Sequence, residues 1–519
     1  METDTSRPHL RFLAGPGIAV LARRATCVLL ALAVIRLWLS PLGSSFWIDE
    51  TGTFWTVKDG LREMLTRVHV FPSITPAYGF IAWAAYALGG AREYALRLPS
   101  VIGISLASLF VYRLAKRLLD DASAFPAVAA FVCAESVAFA ASDARPYALL
   151  LMAVAGSTLA LVRWLQTGAL RHAALCVIAA AVVPYLQYLA LPVLGAHALY
   201  ALMRLREGAP VRPRHLMAAA GCVAVLILPL APGVLDLLHN RGAHSFASRP
   251  NVADVAALLV SPVLIFAAAM GILLAIVVCG RLRVSPLSVP HSTLVLLVTL
   301  ALVPVFTLFT VSILNPTSLF VPRYMIELQV SLALLIGWGI GRIQPELARS
   351  VVVASVIVCS IAAFGKVGRI WAMHGRQDWR DAMAAIRQIA GNTPMPAVVQ
   401  CGFTEASADR LESEGSSYLM APLSLYRAPG PVIPLPYNAK DERTLLYLES
   451  NVVPAIEHSD RFALVTTELP PIYDSWMEGR LPGYAARPVG DFTDIRVTLF
   501  EARERRTGAL GAPDAARRP

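Results

Sequence analysis

The chain has 519 residues, 56% of them hydrophobic and only 15% charged, against about 25% charged in a typical soluble domain. With a mean hydropathy of +0.59, these figures exclude an ordinary soluble globule. The formal net charge of +10 does not point to nucleic acid, because Arg and Lys form small clusters between apolar runs rather than one stripe; that is the positive-inside pattern of a membrane protein.

Arg23 and Arg24 precede the first apolar run, "CVLLALAVIRLWLS". Many more runs follow it and no small-x-small cleavage site does, so the sequence predicts an uncleaved first span behind a cytoplasmic segment, 1–24. About eleven spans are predicted, at 25–42, 98–119, 124–141, 148–165, 173–188, 189–203, 216–234, 258–278, 293–313, 325–340 and 351–364. Each lies near the ~20 residues that cross a bilayer as helix, several on the short side. The whole is an all-α polytopic bundle over 25–364. Its first loop, 43–97, is long for a connector, and "LREMLTRV" and "PAYGFIAWAAYALGG" within it read as helices along or dipping into the interface.

With a cytoplasmic N-terminus, the even connections hold Lys116/Arg117, Arg163/Arg171, Arg204/Arg206/Arg212/Arg214, Arg281/Arg283 and Arg342/Arg349, so all five basic clusters fall inside. An odd number of spans then puts the C-terminal part outside, in the periplasm or its equivalent. It also brings "FWIDETGTFW", "SDARPYA", "PYLQY" and "FVPRYM" to the same outer face. From 365 the composition changes to more Pro and charge, with strand-like "PAVVQCGF", "PVIPLPY", "RFALVTTEL" and "IRVTLFEA" between helical "WRDAMAAIRQIA" and "RTLLYLESNVV". A small α/β domain over 365–500 is predicted, followed by a disordered tail, 501–519. Five of the seven cysteines lie within predicted spans, Cys279 directly follows one and Cys401 lies in the tail domain, so no disulfide framework is implied.

Polar groups at the outer mouth of a span are costly and usually functional. Asp49 and Glu50 stand there after the first span, and a carboxylate so placed can take a proton from an acceptor hydroxyl; the structural alternative is a helix end in water. Arg145 and Arg323 start later spans at the same face, where two guanidinium forks suit a phosphate. The alternative for them is local pairing, Arg145 with Asp143 and Arg323 with Glu327 one turn on. Tyr147, Gln187, Tyr188 and Tyr324 would line the cavity. Glu135 and Arg36, inside the third and first spans, read as a structural pair or cavity lining. No cofactor is certain from the sequence, and a divalent metal stays open, with Glu50, His239 and His244 as candidate ligands at a spacing that is no recognised metal pattern; His69 reads as solvated. A transporter or flippase of a lipid-linked glycan would also need polar cavities, but transporters carry repeats and midplane sites, and no internal repeat is visible here.

These stretches together resemble the GT-C glycosyltransferases, specifically bacterial relatives of the dolichyl-phosphate-mannose protein mannosyltransferases and the lipid A aminoarabinose transferases. The matching pieces are "FWIDETGTFW", "PAYGFIAWAAYALGGAREYALRLPSVIG", "SDARPYALLL", "PYLQYLAL", "FVPRYMIELQVSLALLIGWGIG" and "RQDWRDAMAAI". The resemblance implies transfer, with inversion, of a sugar from a polyprenyl-phosphate donor in the bilayer to an extracytoplasmic acceptor. It implies Asp49 as the base, Glu50 in support or touching a metal, and Arg323 with Arg145 at the donor phosphate. The sequence departs from the family's pattern at "SITPAYG", where relatives often carry His or Asp before two prolines, and at Gln187, where many carry His.

Overall fold

The structure, a computed structural model, describes residues 16–70, 74–239, 247–286, 289–365, 374–413, 416–437, 442–467 and 472–503. The chain divides into two compact units, 1–375 and 376–519.

The first unit is helical. Among the described residues eight helices are long and apolar enough to cross a bilayer: Gly17–Gly43, Glu93–Leu118, Tyr147–Thr167, Tyr188–Arg206, Pro213–Leu235, Pro262–Cys279, His291–Leu314 and Glu346–Phe364. A ninth span is the broken pair Asp121–Cys133 and Glu135–Ala141, bent by 69°. The shorter apolar helices Leu170–Leu186 and Leu328–Gly341 coincide with the other two predicted spans. At 17 and 14 residues they reach only ~26 and ~21 Å, less than the ~30 Å hydrocarbon core.

Two expectations change. The first helix starts at Pro16, so Arg23 and Arg24 lie inside it, exposed, rather than in a preceding segment. Glu135 is not inside a continuous span: Ala134 leaves helical geometry at ψ 133°, and Glu135 begins the second half, exposed. Close packing of Leu328–Gly341 on Asp121–Cys133 depends on Gly337 and Gly341. A methyl at Gly337 would sit 2.5 Å from the Ala127 Cα, and one at Gly341 2.8 Å from the Ser123 Cα. Small residues four apart let two membrane helices approach at backbone distance.

The first loop is built from the helices Ile48–Val57, Leu61–Val70 and Pro76–Gly89. Pro76 opens the last of these where its missing N–H costs nothing, and Thr75 caps it, accepting the Tyr78 N–H at 3.4 Å.

The second unit carries a five-stranded sheet in the order Val432–Leu435, Ala397–Gln400, Arg461–Thr466, Ile495–Ala502, Tyr484–Phe492. The first three strands are parallel and the last two join antiparallel. The helix Trp379–Ala390 buries Trp379, Met383 and Ile386. Four strands coincide with predicted ones, and the fifth, Tyr484–Phe492, was not expected. It contains Pro488 and Gly490 and shifts register between them, which an edge strand tolerates and a central one does not. The last strand runs to Ala502, beyond the expected end at 500, and 504–519 lie outside the described residues.

Candidate active site

The loop "SDARP" after the broken span is almost wholly buried: Ser142, Asp143, Ala144 and Arg145 are at most 2% exposed. Buried loop backbone must find partners, and they come from the helices Ile48–Val57 and Glu93–Leu118. The Ala144 N–H donates to Glu50 Oε1 at 2.8 Å, Thr53 Oγ1 donates to the Ala144 carbonyl at 3.0 Å, and Ser100 Oγ donates to the Asp143 carbonyl at 2.5 Å. Three distant stretches of sequence are thereby knitted into one floor.

Glu50 is the centre of that floor. Its Oε1 also accepts Arg97 Nε at 2.7 Å, and its Oε2 accepts Arg97 Nη2 at 2.5 Å and the Trp47 N–H at 3.3 Å. Arg97 in turn donates to the carbonyls of Pro41, Leu42, Ser44 and Ser45 at 2.8–3.2 Å, and both residues are fully buried. Two carboxylate oxygens offer about four acceptor positions, and here all four are filled. In the structure the acceptor positions of Glu50 are thus taken by Arg97 and by two backbone N–H groups.

One residue earlier, Asp49 faces another way. It is 15% exposed, and its Oδ2 meets Arg323 Nη2 at 3.4 Å. The Arg323 guanidinium lies over the rings of Trp47 and Tyr324, 5.6 Å from each centroid. Arg145 is buried; burial works against its charge, and the carboxylates of Asp49 and Asp143 outweigh it and hold the group above its ordinary value. Tyr147 lies within electrostatic reach of Arg323, Arg145, Tyr324 and Asp49. The structure thus brings Asp49, Arg145, Tyr147, Arg323 and Tyr324 together. The local alternative for Arg323 fails, because both oxygens of buried Glu327 lack any hydrogen-bond partner while Arg323 turns to Asp49.

Asp143, Trp47 and His374 complete the centre. Trp47 Nε1 donates to Asp143 Oδ1 at 3.1 Å, and His374 Nε2 lies 3.4 Å from the same oxygen. His374 is fixed from three sides: Nδ1 is 3.1 Å from Ser142 Oγ, its backbone N–H donates to Ser44 Oγ at 3.0 Å, and its ring lies 4.3 Å from that of Phe139. Burial pushes the Asp143 carboxyl up to about 7, opposed by the Arg145 charge and the Trp47 hydrogen bond. Burial pushes His374 down to about 3, opposed by the Glu50 charge. At neutral pH His374 is neutral, and Asp143 holds its proton far more readily than an exposed carboxyl. Donor atoms of Glu50, Asp143 and His374 lie within 4.8 Å of one another, a spacing a divalent ion would accept. With Glu50 bonded to Arg97, the buried atoms Asp143 Oδ2 and His374 Nε2, which lack a hydrogen-bond partner, are the donors open to such an ion.

Among the other expected residues, the turn Tyr188–Ala190 that follows Gln187 packs against Pro322–Met325. The Tyr188 hydroxyl itself lies against Gly233. Of His69 and His239 only the backbone is described, and His244 lies outside the described residues. Arg97 and His374 were not foreseen. The first had a signal, a lone Arg two residues before Pro99 at the head of an apolar helix; the second had none beyond lying between the last span and the tail domain.

Residues 73–232 match the family model described as dolichyl-phosphate-mannose-protein mannosyltransferase. That segment includes Asp143 and Arg145. Among curated proteins none matches the sequence. Among solved structures, ArnT from Cupriavidus metallidurans in the apo state is similar at a TM-score of 0.54 and 14% identity, covering 92% of this chain and 98% of that one. The same protein bound to undecaprenyl phosphate matches at 0.54 and 14%, covering 91% and 97%. At this identity the likeness establishes a shared fold. The family model thus covers the second to seventh spans, and nearly the whole chain shares the fold of ArnT.

Proposed function

We propose that the protein transfers a sugar, with inversion, from a polyprenyl-phosphate donor to an acceptor outside the cytoplasm. The observation that carries this reading is the pairing of Asp49, a partly exposed acid, with Arg323 beside buried Arg145. Asp49 takes the proton of the acceptor hydroxyl as its oxygen attacks the anomeric carbon. The bond from that carbon to the phosphate oxygen breaks, and the polyprenyl phosphate leaves with one more negative charge. In the same step Asp49 loses its charge, so negative charge passes from carboxylate to phosphate while Arg323 stays beside both. Cations fixed where charge develops stabilise the transition state more than the ground state. Asp143, whose carboxyl burial pushes up, is the second carboxyl of the centre. Undecaprenyl phosphate in the ArnT structure supports a lipid phosphate as the donor's carrier here.

The test is incubation of the purified protein with a panel of polyprenyl-phosphate sugars, followed by mass spectrometry. Loss of the intact donor and gain of free polyprenyl phosphate is expected, slowly even without acceptor. Intact donor throughout, with a lipid-linked glycan crossing vesicles instead, would make the protein a flippase. The reading also requires the Asp49 face to lie outside. Cysteine labelling at engineered positions should place the Arg204–Arg214 connection in the cytoplasm and Ser450 outside; labelling of both from one side rejects the topology.

A further inference from the structure

The helices Glu93–Leu118 and Tyr147–Thr167 both start at the candidate active site, with Arg97 and Tyr147. Sixteen residues on, ~24 Å along each axis, they carry Arg113 and Arg163. The charges of Arg113 and Arg117 act on Arg163. Among the described residues no carboxylate pairs with any of the three: Arg117 Nη1 donates to Gln166 Oε1 at 3.1 Å, and Asp121 pairs with Lys116 instead, at 3.0 Å. Arg163 Nε is buried with no hydrogen-bond partner.

Beside Arg163 a groove of about 350 Å³ opens between these two helices and Leu170–Leu186. It is lined by Phe110, Met152, Gly156, Leu159, Ala160 and Leu175, with Arg163 and His172 at one end. On the Tyr147–Thr167 helix it is lined by the small residues Ala153, Gly156 and Ala160, with the Phe110 ring packed close over Gly156, 3.1 Å from where a Cβ would stand. Met152 to Arg163 spans ~16 Å of helix, close to the ~15 Å hydrocarbon depth of one leaflet.

We propose that this groove binds one anionic phospholipid from the leaflet opposite the active site. Its phosphate is held by Arg163 with Arg113 and Arg117, and one acyl chain lies along Ala153, Gly156 and Ala160. An acyl chain gains little hydrophobic free energy on leaving a bilayer for an apolar groove. Selection therefore comes from the phosphate, which three guanidiniums without a counter-acid attract. Arginines at this membrane face are expected from orientation alone, but orientation does not explain a one-leaflet groove ending at them.

Native mass spectrometry of the full-length protein with equimolar phosphatidylglycerol and phosphatidylcholine tests the proposal. A long-lived phosphatidylglycerol adduct is expected, with phosphatidylcholine retained at least about ten-fold less. Arg163→Gln and Arg113→Gln should each lower phosphatidylglycerol retention about five-fold, the effect of one basic residue near an anionic headgroup. Ala160→Phe fills the groove, keeps all three arginines and should abolish the adduct. Equal retention of both lipids, unchanged preference in the arginine variants, or an adduct surviving Ala160→Phe each overturns the site. Should Arg163→Gln fail to fold, Arg113→Gln, an exposed position on a different helix, carries the test.

Discussion

The floor and the rim of the candidate active site each join an acid to an arginine, and they use the pair in opposite ways. On the floor Glu50 and Arg97 are fully buried and doubly bonded, and the remaining acceptor positions of Glu50 are taken by backbone N–H groups. At the rim, one residue away, Asp49 meets Arg323 at 3.4 Å with both side chains partly exposed. A saturated pair fixes geometry and has no capacity for a ligand. A long, partly exposed pair can exchange its partner for a phosphate or a proton, which is why the proposed chemistry is placed at the rim and an architectural role on the floor.

Glu50→Gln breaks the comparison hardest. It leaves the Arg97 charge buried without its counter-charge, a loss of ~3–5 kcal/mol, which is a large share of the ~5–15 kcal/mol that holds a protein folded. Loss of the monodisperse species in size-exclusion chromatography and a much lower melting temperature are expected. A Glu50→Gln protein that folds normally and loses only turnover would move Glu50 into the chemistry. Asp49→Asn should do the reverse, keeping fold and insertion while turnover drops at least ~10²-fold, as for a lost general base. Near-normal turnover in that variant would shift the base to Asp143.

The sequence showed the helical bundle because apolar runs of bilayer length are a local property, and every predicted span has its helix. It also placed the acidic and basic clusters on one face from loop charge and span parity, and the structure brings Asp49, Arg145 and Arg323 together. What it could not show was the division of labour between Asp49 and Glu50. That depends on Arg97, forty-seven residues on, and on the Ala144 N–H, ninety-four residues on, and no periodicity encodes such contacts. His374 is hidden for the same reason: its environment is made by Ser44, Phe139, Ser142 and Asp143, all more than two hundred residues earlier.

A smaller effect is expected of Arg323→Lys, which keeps the charge and gives up the planar fork. Turnover should fall about ten-fold, between wild type and Arg323→Ala, with the donor still bound. The double variant Arg323→Ala with Glu327→Ala sharpens the assignment. Glu327 has neither oxygen hydrogen-bonded and Arg323 reaches Asp49, so removing Glu327 should restore nothing: the double variant folds and stays inactive. Recovered activity in the double variant would make Arg323 and Glu327 a structural pair.

The mildest effect lies between floor and rim, where Asp143 meets His374. The folded Asp143 value of about 7 lies above its ordinary 3.8, so between those pH values the folded state keeps a proton that the unfolded chain has lost. Its stabilising contribution is full below 3.8 and fades as pH rises through 7. The folded His374 value of about 3 lies below its ordinary 6.5, so its contribution is full above 6.5 and fades as pH falls through 3. From 3.8 to 6.5 the slopes oppose, each at most ~1.4 kcal/mol per pH unit. Thermal unfolding between pH 4.5 and 6.5, referenced to wild type so that all other groups cancel, should tilt in opposite directions in two variants. His374→Gln, with only the Asp143 slope left, should gain relative stability as pH falls; Asp143→Asn, with only the His374 slope left, should lose it. Tilts of the same sign, or none in either variant, would mean that Asp143 and His374 do not titrate as a matched pair. Asp143 would then belong with Glu50 on the floor rather than with Asp49 at the rim.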